Sequence, residues 1–275
     1  MMEALASAGP ATFDRAFLRD PYPVYRGLRE KGAVLWRDDV FLGAWLLTRH
    51  ADVELALRDP RFSSRRTAGW VKRIPGLDAG YAARDLDAFQ RLFGRAMVFL
   101  DAPEHPRLRQ AMAAGFHPSL VRAFRPEVER LTDELLAPLA GPASFDFIDA
   151  VARPLPSRVM SMLLGIARGD EAQFIAWSDD LAAFIGALQP SAEQLRAAQC
   201  SLLGMVRYFD ALLPARRRSP GADLIGRLVQ AEAAGAARAD GELVAQCALL
   251  LFAGRETARN LLGNGLYTLL SHPAQ

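Results

Sequence analysis

Two short stretches hold the side chains whose types and spacing could do chemistry. In LLLFAGRETARN, Leu249 to Asn260, an aliphatic run reaches Ala253 and Gly254 and then passes into Glu256 and Thr257. Consecutive residues of a helix point about 100° apart, so both side chains could flank one opening. An unpaired carboxylate in an apolar setting is costly. Either Arg255 or Arg259 neutralises Glu256, or water and a ligand occupy the gap. In FLDAPEHPRLRQAM, Phe99 to Met112, His105 and Arg109 stand at i and i+4 on one helical face. Like charges at that spacing repel mildly, so the pair gains most by sharing an anion. The plainer alternative is a solvated basic face, to which Arg107 and Glu104 would belong.

The elements that must position these residues are mostly helical. After Asp240, a good N-cap, the chain runs to Pro273 as one apolar helical pattern, with Glu242 in the first turn where the helix dipole favours an anion. That predicts a helix over 241–271, roughly 45 Å long. Gly254, Gly263 and Gly265 lie inside it, each costing about 1 kcal/mol relative to Ala. Gly254 therefore marks a close approach to the backbone or a local opening of the helix. Asp101 or Pro103 opens the helix of His105. Upstream, helical patterns cover 21–32 and 50–60, and AVLWRDDVFLGAWLLTR predicts a β hairpin over 33–48. Residues 61–99 are irregular, with Gly69, Pro75, Gly76 and Gly80, the pattern of a binding loop. Further helices are expected near 104–115, 119–140, 151–165, 170–187, 191–217 and 222–234, broken at Gly141-Pro142 and Pro220-Gly221. The fold class is mainly α with a small β element, in a single domain.

A chain of 275 residues with 51% hydrophobic content can bury a large core. Its net charge of +2, from 33 basic and 31 acidic residues, gives no general pull toward nucleic acid or a membrane surface. Arg65, Arg66, Lys72 and Arg73, and again Arg216 to Arg218, cluster beside Pro or Gly and read as solvated loops. Cys200 and Cys247 have no metal-ligand spacing and suggest no disulfide framework. MMEALASAGPATFDRAF lacks the features of a signal peptide, and no run approaches the apolar length of a membrane span. The expectation is a soluble, cytoplasmic protein.

The combination of DAPEHPRLRQAMAAGF with AGRETARNLLGNGLYTLLSHP, and of the earlier RDPYPVYRGLRE and DPRFSS, resembles the cytochrome P450 family in its soluble bacterial branch. The resemblance covers nearly the whole chain in the family's order. It implies a P450-like fold, haem b as cofactor, and O2-dependent oxidation of a small organic substrate of secondary metabolism, with electrons from a ferredoxin-type redox partner. It implies that His105 and Arg109 bind a haem propionate. Glu256 and Thr257 would organise water and protons for O–O cleavage, and Ala253 and Gly254 would form the groove at the oxygen-binding face. Residues 61–99 and the helical pair at 170–217 would line the substrate pocket. Ala258 stands where the family usually has a second Thr or Ser.

The family's iron is held by a cysteine thiolate in a Gly-rich loop near the C-terminus. The chain ends at Gln275, and neither Cys200 nor Cys247 lies in such a loop, so no metal ligand is assigned. E-x-x-R occurs at Glu104–Arg107, Glu127–Arg130, Glu193–Arg196 and Glu256–Arg259, all before the position of the family's own motif. The resemblance therefore implies that residues 1–275 are the N-terminal portion of one P450-like domain, with the C-terminal third missing and no activity alone. Leu243 to Leu270 would then expose an apolar strip. The alternative is a non-catalytic P450-like partner that activates a glycosyltransferase.

Overall fold

The helical patterns between residues 104 and 271 become seven α-helices in a computed structural model. It describes residues 15–65, 74–77, 90, 92, 94–116, 118–141, 144–187, 189–221, 223–235 and 241–275. Ahead of them lie α1 (Arg15–Arg19), α2 (Tyr22–Lys31), a β hairpin and α3 (His50–Arg58). The seven are α4 (Glu104–Gly115), α5 (Pro118–Leu136), α6 (Pro154–Leu163), α7 (Glu171–Ile185), α8 (Ala192–Arg218), α9 (Leu224–Ala233) and α10 (Glu242–Ser271). The mainly helical class with a small β element is as the sequence led us to expect. Most of residues 66–89, and so most of the expected binding loop, lie outside the described residues, as do Asp240 and Pro142.

The hairpin pairs β1 (Val34–Arg37) antiparallel with β2 (Ala44–Leu47), in the register Val34↔Leu47 to Arg37↔Ala44. Its turn closes through left-handed backbone at Phe41, Leu42 and Gly43. A Cβ at residue 43 would meet the Trp36 ring at 2.8 Å, so only glycine allows that ring to fold over the turn. Arg37, 1% exposed, is held by Asp39 at 2.6 Å from Nε to Oδ1.

The core sits where α7, α8 and α9 meet the first half of α10. Phe174 makes edge contacts with Trp177 and Tyr208 and packs on Phe209, while Leu195, Met205, Leu213, Leu224 and Ile225 are sealed around them. Gly204 lets α8 lie against the indole of Trp177, which a Cβ there would meet at 2.6 Å. Ser191 caps α8 with a reciprocal Ser191–Gln194 box. The helix expected at 151–165 instead starts as a π-helical turn, Ile148–Ala152, and restarts as α6 at Pro154. Pro154 and Pro156 have no N–H to carry a regular ladder through that point.

The Arg216–Arg218 cluster is not the solvated loop that its neighbouring Pro and Gly imply. It is the last turn of α8, where cations complement the helix dipole. Arg216 binds Asp223 at 2.8 Å and donates to the Gly165 carbonyl, and Arg217 binds Glu232 at 2.8 Å.

Candidate haem-facing site

The helix that carries Glu256 and Thr257 is unbroken from Glu242 to Ser271, with Gly241 at its N-cap in the left-handed region. Residues 242–248, together with Leu251 and Arg255, are buried. The apolar strip expected over Leu243 to Leu270 is therefore a correction: Leu243 to Leu251 pack into the core, and exposure begins beyond them at Ala253, Thr257, Leu261 and Tyr267. Gly254 does not mark an opening either. The Met160 thioether of α6 occupies the space that a Cβ at residue 254 would take, so the glycine serves a helix crossing.

Around the acid–alcohol pair the charges are paired. Glu256 Oε1 accepts from Arg259 at 2.6 Å and from Asn260 at 3.1 Å. Of the two arginines that the sequence offers for neutralising Glu256, Arg259 is the one that pairs with it. Arg255 turns the other way and pairs with Asp179 on α7, where it is 2% exposed. Arg259 also lies 4.0 Å from Asp179, so one carboxylate faces two guanidinium groups. The other carboxylate oxygen, Glu256 Oε2, is buried without a protein partner. Thr257 is exposed, and its hydroxyl donates to the Ala253 carbonyl at 3.0 Å.

His105 is half-buried and Arg109 exposed, one turn apart on α4. Neither has an ion-pair partner among the described residues. Asp101 sets the start of this helix: its carbonyl accepts from His105 N–H at 2.9 Å. Its carboxylate accepts from Ser63 Oγ at 2.5 Å and Ser64 N–H at 2.8 Å. The Ser63 hydroxyl first, then the Ser64 amide, hold the Asp101 carboxyl below its ordinary value. This tether of residues 63–64 is thus complete above the usual carboxylate range and is lost as pH falls through the lowered value. Glu104 binds Arg65 at 3.2 Å. Arg107 is no solvated member of the basic face; it pairs with the buried Glu242 of α10.

One turn further along α10, Gln246 accepts from Met97 N–H at 2.9 Å and donates to the Arg95 carbonyl at 2.7 Å. Glu242 and Gln246 thus join the segment carrying His105 and Arg109 to the helix carrying Glu256 and Thr257. Among the described residues no hydrogen bond or ion pair joins the two motifs directly. Sequence reasoning does not single out Gln246 or Asp179, and it reads Arg107 as solvated. A signal existed for the first, a lone amide in the apolar run LVAQCALLL.

Between these elements lies a cavity of about 200 Å³ lined almost wholly by apolar atoms. Ala245, Ala248, Leu249, Phe252 and Ala253 form its α10 wall, and Leu181, Ile185 and Leu202 come from α7 and α8. Leu92, Ala96, Val98 and Phe99 close it. Cys247 is buried beside this wall, and burial pushes its thiol up to about 12. Cys200 is on the exposed face of α8.

No protein-family model matches the chain. Whole-chain relatives do. Cytochrome P450 107B1 of Saccharopolyspora erythraea is 37% identical over 96% of this chain and 62% of its own length. The cytochrome P450 monooxygenase PikC of Streptomyces venezuelae is 35% identical over 94% and 58%. The crystal structure of CalO2 superposes with a TM-score of 0.80 and 30% identity, covering 98% of this chain and 64% of that one. That of P450BioI, in complex with an acyl carrier protein bearing hexadec-9Z-enoic acid, gives 0.81 and 27%. The chain belongs to the cytochrome P450 family. It spans about three-fifths of the length of the P450 relatives it matches. Haem is the cofactor of this P450 family, and no described helix is long and apolar enough to cross a membrane.

Proposed function

We propose that the chain supplies the propionate-holding and oxygen-side faces of a haem-dependent P450 monooxygenase, and that its substrate is a small apolar organic molecule seated in the cavity. One observation carries this reading. The apolar cavity ends at the exposed Ala253, and Thr257 follows one turn later on the same helix, bonded to the Ala253 carbonyl. A relative named vitamin D(3) 25-hydroxylase, from Pseudonocardia autotrophica and 33% identical, supports an apolar substrate.

The donor set fits haem b. Its propionates are anions, and Arg109 and His105 offer cationic and N–H donors that form no ion pair within 4.0 Å among the described residues. When bound, haem supplies the iron at which O2 is reduced and one oxygen atom is transferred. The remaining chemistry falls to the chain. The Thr257 hydroxyl spends its proton on the Ala253 carbonyl, leaving its lone pairs free to accept from water. Glu256, anchored through one oxygen, has its second oxygen free to take up a proton and return it. The cavity wall excludes water from the substrate's side. Electrons come from a ferredoxin-type redox partner.

Neither cysteine of the chain suits the thiolate position, since Cys247 is sealed and held protonated and Cys200 faces solvent. The 275 residues alone should therefore lack thiolate ligation and turnover. Titration of the purified chain with hemin tests both parts. Losing a charge-assisted bond of about 1.5–3 kcal/mol should weaken binding by about tenfold or more in Arg109→Ala, and His105→Ala should weaken it too. After reduction under carbon monoxide, no red-shifted thiolate band should form. Unchanged affinity in both variants would remove the propionate assignment, and a thiolate band would remove the claim of inactivity.

A further inference from the structure

We propose that Gln246 is a specificity-determining residue: its side-chain amide clips the 95–99 wall of the cavity to α10 and so sets the size of molecule that the cavity admits. The inference rests on the reading of this cavity as the substrate site. Gln246 is 1% exposed and stands among Ala245, Ala248 and Leu249, which line the cavity from α10. Its Oε1 accepts from Met97 N–H, and its Nε2 donates to the carbonyls of Arg95, at 2.7 Å, and Glu242, at 3.2 Å. A backbone N–H can only donate and a carbonyl only accept, so these partners dictate which end of the amide is oxygen.

The two residues gripped from across the cavity flank Ala96, and Ala96, Val98 and Phe99 are themselves cavity wall. That wall has little structure of its own. It includes one 3-10 turn, Met97–Phe99, in which Phe99 N–H donates to the Ala96 carbonyl and Leu100 N–H to the Met97 carbonyl. The Gln246 amide therefore does what a neighbouring strand would do, satisfying a donor and an acceptor of an irregular segment. Glu242, one turn earlier on α10, grips Arg107 beyond the wall's far end. Without the amide, Met97 N–H loses the acceptor and Arg95 C=O the donor that Gln246 supplies. Val98, a residue of this wall, is 49% exposed, so the wall is not sealed beneath other elements. The segment then relaxes outward and the cavity widens.

The test is calorimetric titration of the chain, Gln246→Leu and Gln246→Glu with two apolar probes, toluene and n-hexylbenzene. Hydrogen exchange at the Met97 amide is followed on the same samples. Gln246→Leu removes both grips, whereas Gln246→Glu keeps the acceptor for Met97 N–H and loses the donor to Arg95 C=O. The affinity for n-hexylbenzene relative to toluene should rise about tenfold in Gln246→Leu and by less in Gln246→Glu. Met97 exchange should accelerate most in Gln246→Leu. Faster exchange with an unchanged affinity ratio would make Gln246 a brace with no part in selection, which overturns the proposal. Binding of neither probe to the unsubstituted chain overturns the cavity reading and the proposal with it. If Gln246→Leu fails to fold, the ratio in Gln246→Glu decides, a shift supporting the proposal and no shift overturning it.

Discussion

Residues 242–252 and residues 253–271 belong to one unbroken helix, and both halves are rich in leucine. In the first half Leu243, Val244, Cys247, Ala248 and Leu251 are each 3% exposed or less. In the second half Leu261, Tyr267 and Leu270 are each more than 70% exposed. The polar residues divide in the same way. Glu242 and Gln246 reach segments packed against them, Gln246 in addition to its own helix at i−4, whereas the hydroxyls of Thr257, Thr268 and Ser271 turn back onto their own helix at i−4. The acid–alcohol pair falls at the boundary. Arg255 is sealed against α7, Glu256 is half-buried with one oxygen unpartnered, and Thr257 is open. The second half carries more polar residues and all three glycines of the helix, yet its leucines are exposed for a different reason: the apolar core from α7, α8 and α9 packs against the first half.

The largest effect should come from cutting the same side chain in each half. Leu251→Ala empties a sealed site and should lower unfolding stability by about 3 kcal/mol. Leu270→Ala, 71% exposed, should change it by less than about 0.5 kcal/mol. Urea denaturation of the two variants measures the contrast. Equal losses would mean that the second half is covered in solution, for example by a second copy of the chain, and the comparison would break.

The boundary itself gives a smaller, signed effect. Asp179→Asn strands the Arg255 guanidinium, 2% exposed, and should cost about 2 kcal/mol. That is below the usual penalty for a fully buried pair, because solvent reaches Asp179. Arg255→Met replaces the charge with apolar volume and should be close to neutral despite removing the same ion pair. If the arginine variant is the more damaging, Arg255 is held by more than Asp179, and its unpartnered Nε and Nη1 have partners in solution.

Much of this was legible before any coordinates. Periodicity and the Gly and Pro breaks placed the helices, and the two β-leaning runs of AVLWRDDVFLGAWLLTR the hairpin, because these signals are local. The positions of Glu256 and Thr257 within the last helix were legible for the same reason. Partners were not. Helical spacing in AGRETARN favours Arg259, at i+3, over the adjacent Arg255 as the partner of Glu256, but nothing there says that Arg255 pairs with Asp179, some 76 residues away along the chain. The solvated reading of Arg107 failed because Glu242 lies 135 residues on. The leucines spread from Leu243 to Leu270 announce burial along the whole helix, but not which of them have neighbours.

The smallest effect separates two glycines of the same helix. Gly265 faces open space, so Gly265→Ala should gain up to about 1 kcal/mol from helix propensity alone. Gly254→Ala has the same propensity gain, but its methyl group would occupy the place of the Met160 thioether. Met160 is 6% exposed, so its flexible side chain has little room to swing aside. Overpacking of this kind costs about 1–3 kcal/mol, so the sum lies near zero or below it. Thermal melts of the two variants should differ in sign or nearly so. A gain at residue 254 equal to that at residue 265 would show α6 standing off from α10. Gly254 would then be left without the packing reason that the crossing supplies, and an opening beside Glu256 would again account for it.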